Sequence, residues 1–122
     1  MFVQKQTVTL TTAADGTATV YSTVINGRVF AIKFTLGTLT SGAADVTVTG
    51  EDSAVQLWAV TNAAANATVQ PRVATHDSTG TALTYDGTRV QADYYHAANE
   101  RIKAVVAQGG DTKTGTLEIW WG

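Results

Sequence analysis

His76 and His96 are the two histidines of the chain, and there are no cysteines. A zinc site would therefore need both imidazoles together with a carboxylate such as Asp77 or Asp93. No His-x-His or comparable spacing joins them, so they read as exposed loop residues. A glycosidase needs two carboxylates. Glu51-Asp52 stands at a predicted strand end and Glu118 in the last predicted strand. Neither has an aromatic cluster beside it to raise a pKa, and solvated turn carboxylates describe them better. Asp15-Gly16, Asp86-Gly87 and Gly109-Gly110-Asp111 lack the alternating oxygen ligands of a calcium loop and fit turns instead. No serine sits on a strand-to-helix elbow, and no glycine-rich phosphate loop opens a helix. No catalytic set, metal or cofactor is expected, and the chain reads as a binding or structural protein.

The elements that would carry these side chains are strands. Val8 and Leu10 alternate with Thr7 and Thr9, which predicts a strand from about Val3 to Thr11. Asp15-Gly16 predicts a turn, with Thr17 to Ser22 returning. After a second turn signal at Asn26-Gly27, the alternation places Phe30, Ile32 and Phe34 in the core. Leu36 to Ala44 reads as a loop, and Asp45 to Gly50 as a strand with Val46 and Val48 inward. The strand around Leu57 is apolar on both faces, so either it is covered on both sides or Trp58 lies at an interface. Pro71 lies inside a β-rich stretch, which predicts an edge or a bulge because proline cannot donate to a ladder. His76 to Thr88 reads as a long exposed loop or loose hairpin. Arg89 to Tyr95 reads as a strand with Val90, Ala92 and Tyr94 on one side. Arg101 to Gln108 and Thr116 to Trp121 flank a predicted hairpin tip at Gly109 to Gly115. Leu117, Ile119 and Trp121 share one face of the last strand, and Glu118 and Trp120 the other.

Eight or nine short strands with no helical periodicity predict one all-β domain over residues 1–122, an antiparallel two-sheet β-sandwich of jelly-roll-like form. The composition sets further bounds. Of the 122 residues, 44 % are hydrophobic and only 15 % charged, against about 25 % charged in ordinary soluble domains. That excludes a disordered chain and suits a protein packed against neighbours. A net charge of −2 with scattered basic residues offers no field for nucleic acid. Met1 to Leu10 lacks a signal-peptide pattern, and no apolar run is long enough for a membrane helix.

The aromatic residues leave two readings. Trp58, Trp120, Trp121, Tyr94 and Tyr95 could line a sugar-binding face. Alternatively Trp58, Trp121 and Tyr94 are core, and Trp120 and Tyr95 stand exposed at a protein interface. Consecutive strand residues point to opposite faces, so one of Trp120 and Trp121 must face outward. An outward tryptophan is a typical interface anchor.

Several stretches are similar to a family of small virion structural proteins of tailed bacteriophages. They are Thr11 to Ser22, Asn26 to Ile32, Gln70-Pro71-Arg72 with His76-Asp77, Glu100 to Lys103, Val105 to Gly110 and Lys113 to Thr116. The resemblance implies a virion component made in the host cytoplasm, in the first place a capsid decoration (cement) protein. A tail- or fibre-associated accessory protein is the alternative within that class. It implies the major capsid protein or another virion protein as partner, and a dimer or trimer; the charge and the lack of a long apolar run already leave neither nucleic acid nor membrane as target. The apolar residues Phe2 and Val3 near one end join Trp58, Tyr95 and Trp120 as candidate interface residues. Two rivals come from other classes: a carbohydrate-binding module, and a phage cell-wall hydrolase that would need His76 and His96 clustered with carboxylates in a cleft.

Overall fold

A computed structural model describes residues 2–122; Met1 lies outside them. Ten strands follow one another: β1 (Gln4–Thr11), β2 (Ala18–Tyr21), β3 (Ile25–Thr35), β4 (Ala44–Gly50), β5 (Gln56–Ala63), β6 (Ala67–Val69), β7 (Arg72–Ala74), β8 (Ala92–Glu100), β9 (Ile102–Ala107) and β10 (Thr114–Trp121). No helix occurs among the described residues. All pairings are antiparallel. The larger sheet has six strands in the order β1-β10-β3-β8-β7, with β6 also on β3, and the smaller has four in the order β2-β9-β4-β5.

Alternation builds the core between these two sheets. Leu10, Leu117, Ile119, Val29, Ile32 and Phe34 point inward from the larger sheet, and Val46, Val48, Ile102 and Val106 from the smaller. Each is fully buried or nearly so, and burial of such a side chain stabilises the fold by about 1.5–3 kcal/mol. The arrangement is that of a β-sandwich.

Three turn signals act differently from their sequence expectation. β1 and β2 lie in different sheets, as do β9 and β10. Asp15-Gly16 and Gly109 to Gly115 therefore carry the chain from one sheet to the other and are not hairpin tips. The two crossings lie side by side, with Gly109 N–H donating to Gly16 O at 2.9 Å. Asn26-Gly27 makes no turn at all, because β3 runs straight through it with a register shift at Ile25/Asn26. Gly27 takes φ +114 there, and a Cβ on it would stand 2.7 Å from the Gly122 carbonyl oxygen. The dipeptide marks a bulge against which residue 122 is hydrogen-bonded, through Arg28 N–H to Gly122 O and Gly122 N–H to Arg28 O, both 2.9 Å.

Two strands also differ in extent. β8 continues past Tyr95 to Glu100, so its pairing with β3 uses residues that alternation alone left unassigned. The proline-containing stretch splits into β6 on β3 and β7 on β8, and the chain reverses at Gln70-Pro71 between them. Pro71 itself is buried.

Candidate interaction surface

A bulge shapes the outer face of the larger sheet. Along β3 and β10, Ala31 pairs with Trp120 and Val29 with Trp121, leaving Phe30 as the extra residue. An extra residue lets two consecutive side chains turn to the same face. Ile32 and Val29 stay in the core, and Phe30 and Ala31 both turn outward, correcting the core assignment of Phe30. Together with Val3, Thr68 and Trp120 they line an open trough of ≈ 420 Å³. Four of these five residues are apolar, and Thr68 contributes the one hydroxyl.

The trough continues into an aromatic and cationic strip. Phe30 meets Tyr94 edge to face, with ring centroids 5.5 Å apart and planes at 84°. The Arg72 guanidinium lies 3.9 Å over the Tyr94 ring, and Arg28 sits 5.4 Å from Phe30 and 5.5 Å from Tyr94. Such stacking holds the guanidinium groups against the sheet while they keep their charge at its surface.

Of the five candidate interface residues, three gather here. Val3 and Trp120 line the trough, and Phe2, the residue before Val3, is 87 % exposed. Its carbonyl lies so close to Gly122 that a Cβ there would stand 2.6 Å from it and 3.1 Å from the Phe30 ring. The other two lie elsewhere. Trp58 packs into the sandwich, its ring 5.5 Å from that of Phe34 in the opposite sheet. Tyr95 is only 5 % exposed, which places it in the core rather than at a surface. Tyr94, its neighbour, faces outward instead.

Tyr95 belongs to a polar cluster with buried Glu100 and exposed Ser53. Its hydroxyl donates to Glu100 Oε1 and lies 2.9 Å from Ser53 Oγ. Ser53 donates its N–H to Glu100 Oε2 and its hydroxyl to Oε1, both at 3.1 Å. Gly50 lies against this group, where a Cβ would collide with all three side chains. The cluster is internally satisfied and ties the β4–β5 turn to the end of β8. Beside it, Arg101 grips Glu51 with two bonds of 2.6 Å and stacks 4.1 Å over Tyr21. That grip holds the Glu51 carboxyl below its ordinary range.

A second exposed feature projects from β7 and β8. Every residue from 76 to 90 is exposed. The segment is a cloverleaf: Thr75 N–H donates to Gln91 O, Leu83 N–H to Thr75 O and Gln91 N–H to Leu83 O, each at 2.9 Å. From that closed ring spring two small loops, bridged at His76/Ala82 and Thr84/Val90. Asp77 Oδ1 accepts from Thr79 N–H, Thr79 Oγ1 and Thr81 N–H in the first; Asp86 Oδ1 accepts from Thr88 and Arg89 N–H in the second. These are self-bonded turns. His76 stands in this arm and His96 in β8 opposite Arg28. Among the described residues no three His, Asp or Glu side chains converge as metal ligands.

The bulge and the trough were not legible in the alternation. The one signal for them is the adjacent pair Trp120-Trp121, which forces one large ring outward. The sequence matches no known family model and no curated protein.

Proposed function

We propose that this chain is a structural protein of a tailed-bacteriophage virion, a jelly-roll-like capsid decoration (cement) protein that binds neighbouring capsid subunits. The observation that carries its adhesive part is the outer-face trough of Val3, Phe30, Ala31, Thr68 and Trp120. An apolar hollow anchored by tryptophan and rimmed by arginine has the make-up of a protein-docking site, where tryptophan and arginine are over-represented among the residues that dominate affinity. The virion part rests on the likeness of the stretches from Thr11 to Ser22 and Val105 to Gly110 to small phage structural proteins. With the short β6 and β7 set aside, the orders β1-β10-β3-β8 and β2-β9-β4-β5 support a jelly roll, an architecture common to viral capsid proteins and lectins.

Because lectins share that architecture, the site must separate the two readings. A stacked sugar needs an open aromatic face and hydroxyl partners. Here Arg72 covers Tyr94 at 3.9 Å, and the trough supplies Thr68 alone. An apolar protein side chain fits better. A place on the tail or fibre would use the same surface.

Sedimenting the purified protein with separated heads and tails of the phage that encodes it tests this reading. Saturable binding to heads is expected. Binding to tails alone would select the accessory role. Binding to neither, with tryptophan fluorescence that responds to oligosaccharides, would replace the proposal with a glycan-binding module.

A further inference from the structure

One margin of the smaller sheet is an open strand edge without a single charge. Among the described residues, β5 is hydrogen-bonded to β4 and to no other strand. Residues 53–71, which include all of β5 and β6, contain no Asp, Glu, Lys, Arg or His. β5 itself has eight residues, with neither proline nor glycine. An open edge of that kind is a template for another strand, and proteins guard such edges with charge, proline or brevity.

The other margins carry those guards. β1 bears Lys5, and its Gln6 side chain accepts from Thr23 N–H and Oγ1. β2 has four residues, and β6 has three with Pro71 close behind. The β7–β8 margin carries Arg72, Asp93 and His96. On β5, the register shifts fall toward the two ends, and Trp58, Ala59 and Val60 pair regularly with Val48, Thr47 and Val46 between them. The three regular positions between those shifts carry neither charge nor proline.

We infer that β5 pairs antiparallel with β5 of a second copy of this chain across a two-fold axis, joining two four-stranded sheets into one. The missing charge selects this occupant. In a two-fold antiparallel pair, the side chain on the axis faces its own counterpart and the side chains beside it face one another crosswise, so a charge on the axis would meet its like. A foreign partner imposes no such condition. Ala59 and Thr61, exposed on β5, are small and neutral, and Trp58 and Val60 keep partial exposure that a second copy would cover. This pairing does not depend on what the trough binds. It gives the dimer two troughs, and a bivalent contact with a repeating surface multiplies a weak single affinity by about 10²–10⁴.

Light scattering coupled to size exclusion tests it. The intact chain is expected to elute with twice its 12.8 kDa mass, and the Ala59→Lys/Thr61→Lys double variant with the mass of one folded chain. Because the chain has no cysteine, Ala59→Cys and Thr61→Cys introduced together give a second readout free of background, with the axis at either residue or at Val60 between them. Mild oxidation should link two copies through these positions and not through Thr9→Cys on β1. A monomeric wild type at high concentration, or a dimer that survives both lysines and resists cross-linking at β5, would overturn the inference. Either result leaves head binding through the trough to be measured separately.

Discussion

Buried to 3 % exposure, Thr12 donates its hydroxyl to Gly110 O at 2.6 Å and accepts Lys113 N–H at 2.8 Å. It thereby clamps the two inter-sheet crossings to each other. Thr12→Val keeps the shape and removes both bonds, and should cost about 1–3 kcal/mol in denaturant unfolding. Nothing in a threonine-rich sequence singles this residue out, because the clamp exists only once two distant loops adjoin. The carboxylates act differently. Arg101 lowers the Glu51 pKa, Thr17 lowers that of Asp15, Thr79 that of Asp77, and the Arg89 N–H that of Asp86. A lowered folded pKa means that the unfolded chain takes up protons first. The stabilisation is complete above the ordinary carboxylate values of 3.8 and 4.5 and is lost as pH falls through the lower folded ones. The melting temperature should therefore drop below about pH 4.5, with a smaller drop in Arg101→Met, which lacks the Glu51 share. A flat profile in the wild type would contradict this.

Among the elements, alternation made the strands legible and left their partners hidden. Val46, Val48, Leu117, Ile119 and Trp121 point inward as period two requires. Local turn signals could not say whether Asp15-Gly16 folds a hairpin or crosses between sheets, since both need the same backbone conformations. Bulges account for the rest. One extra residue at Phe30 reverses the facing of everything before it, and in β8 the same kind of parity decides that Tyr95 is core and Tyr94 surface. The cloverleaf arm is the opposite case, since its glycine and aspartate turns mark it plainly as exposed. It places no residue in the core. Replacing residues 76–90 with a two-residue turn that keeps Thr75 beside Gln91 should leave the melting temperature almost unchanged. A large loss would mean that the arm, exposed Tyr85 included, supports the sandwich.

For the whole molecule, the proposed adhesive role rests on the distribution of charge and apolar surface. Only 15 % of residues are charged. The outer face of one sheet offers an arginine-rimmed apolar trough, and a margin of the other offers an uncharged strand edge. Those two surfaces lie on different sheets, so one can join copies of the chain while the other grips a partner. The low charge and the outward tryptophan were readable in the sequence. The trough was not, because Val3, Phe30, Thr68 and Trp120 come from four separate stretches joined only by sheet order. The most direct test is the affinity of Trp120→Ala for phage heads, measured by co-sedimentation beside the wild type. Trp121 remains in the core, so the variant should melt like the parent and bind at least about 30-fold more weakly, the loss expected for an anchor worth 2 kcal/mol or more. A folded Trp120→Ala protein that decorates heads with undiminished affinity would contradict the assignment of this face as the docking surface.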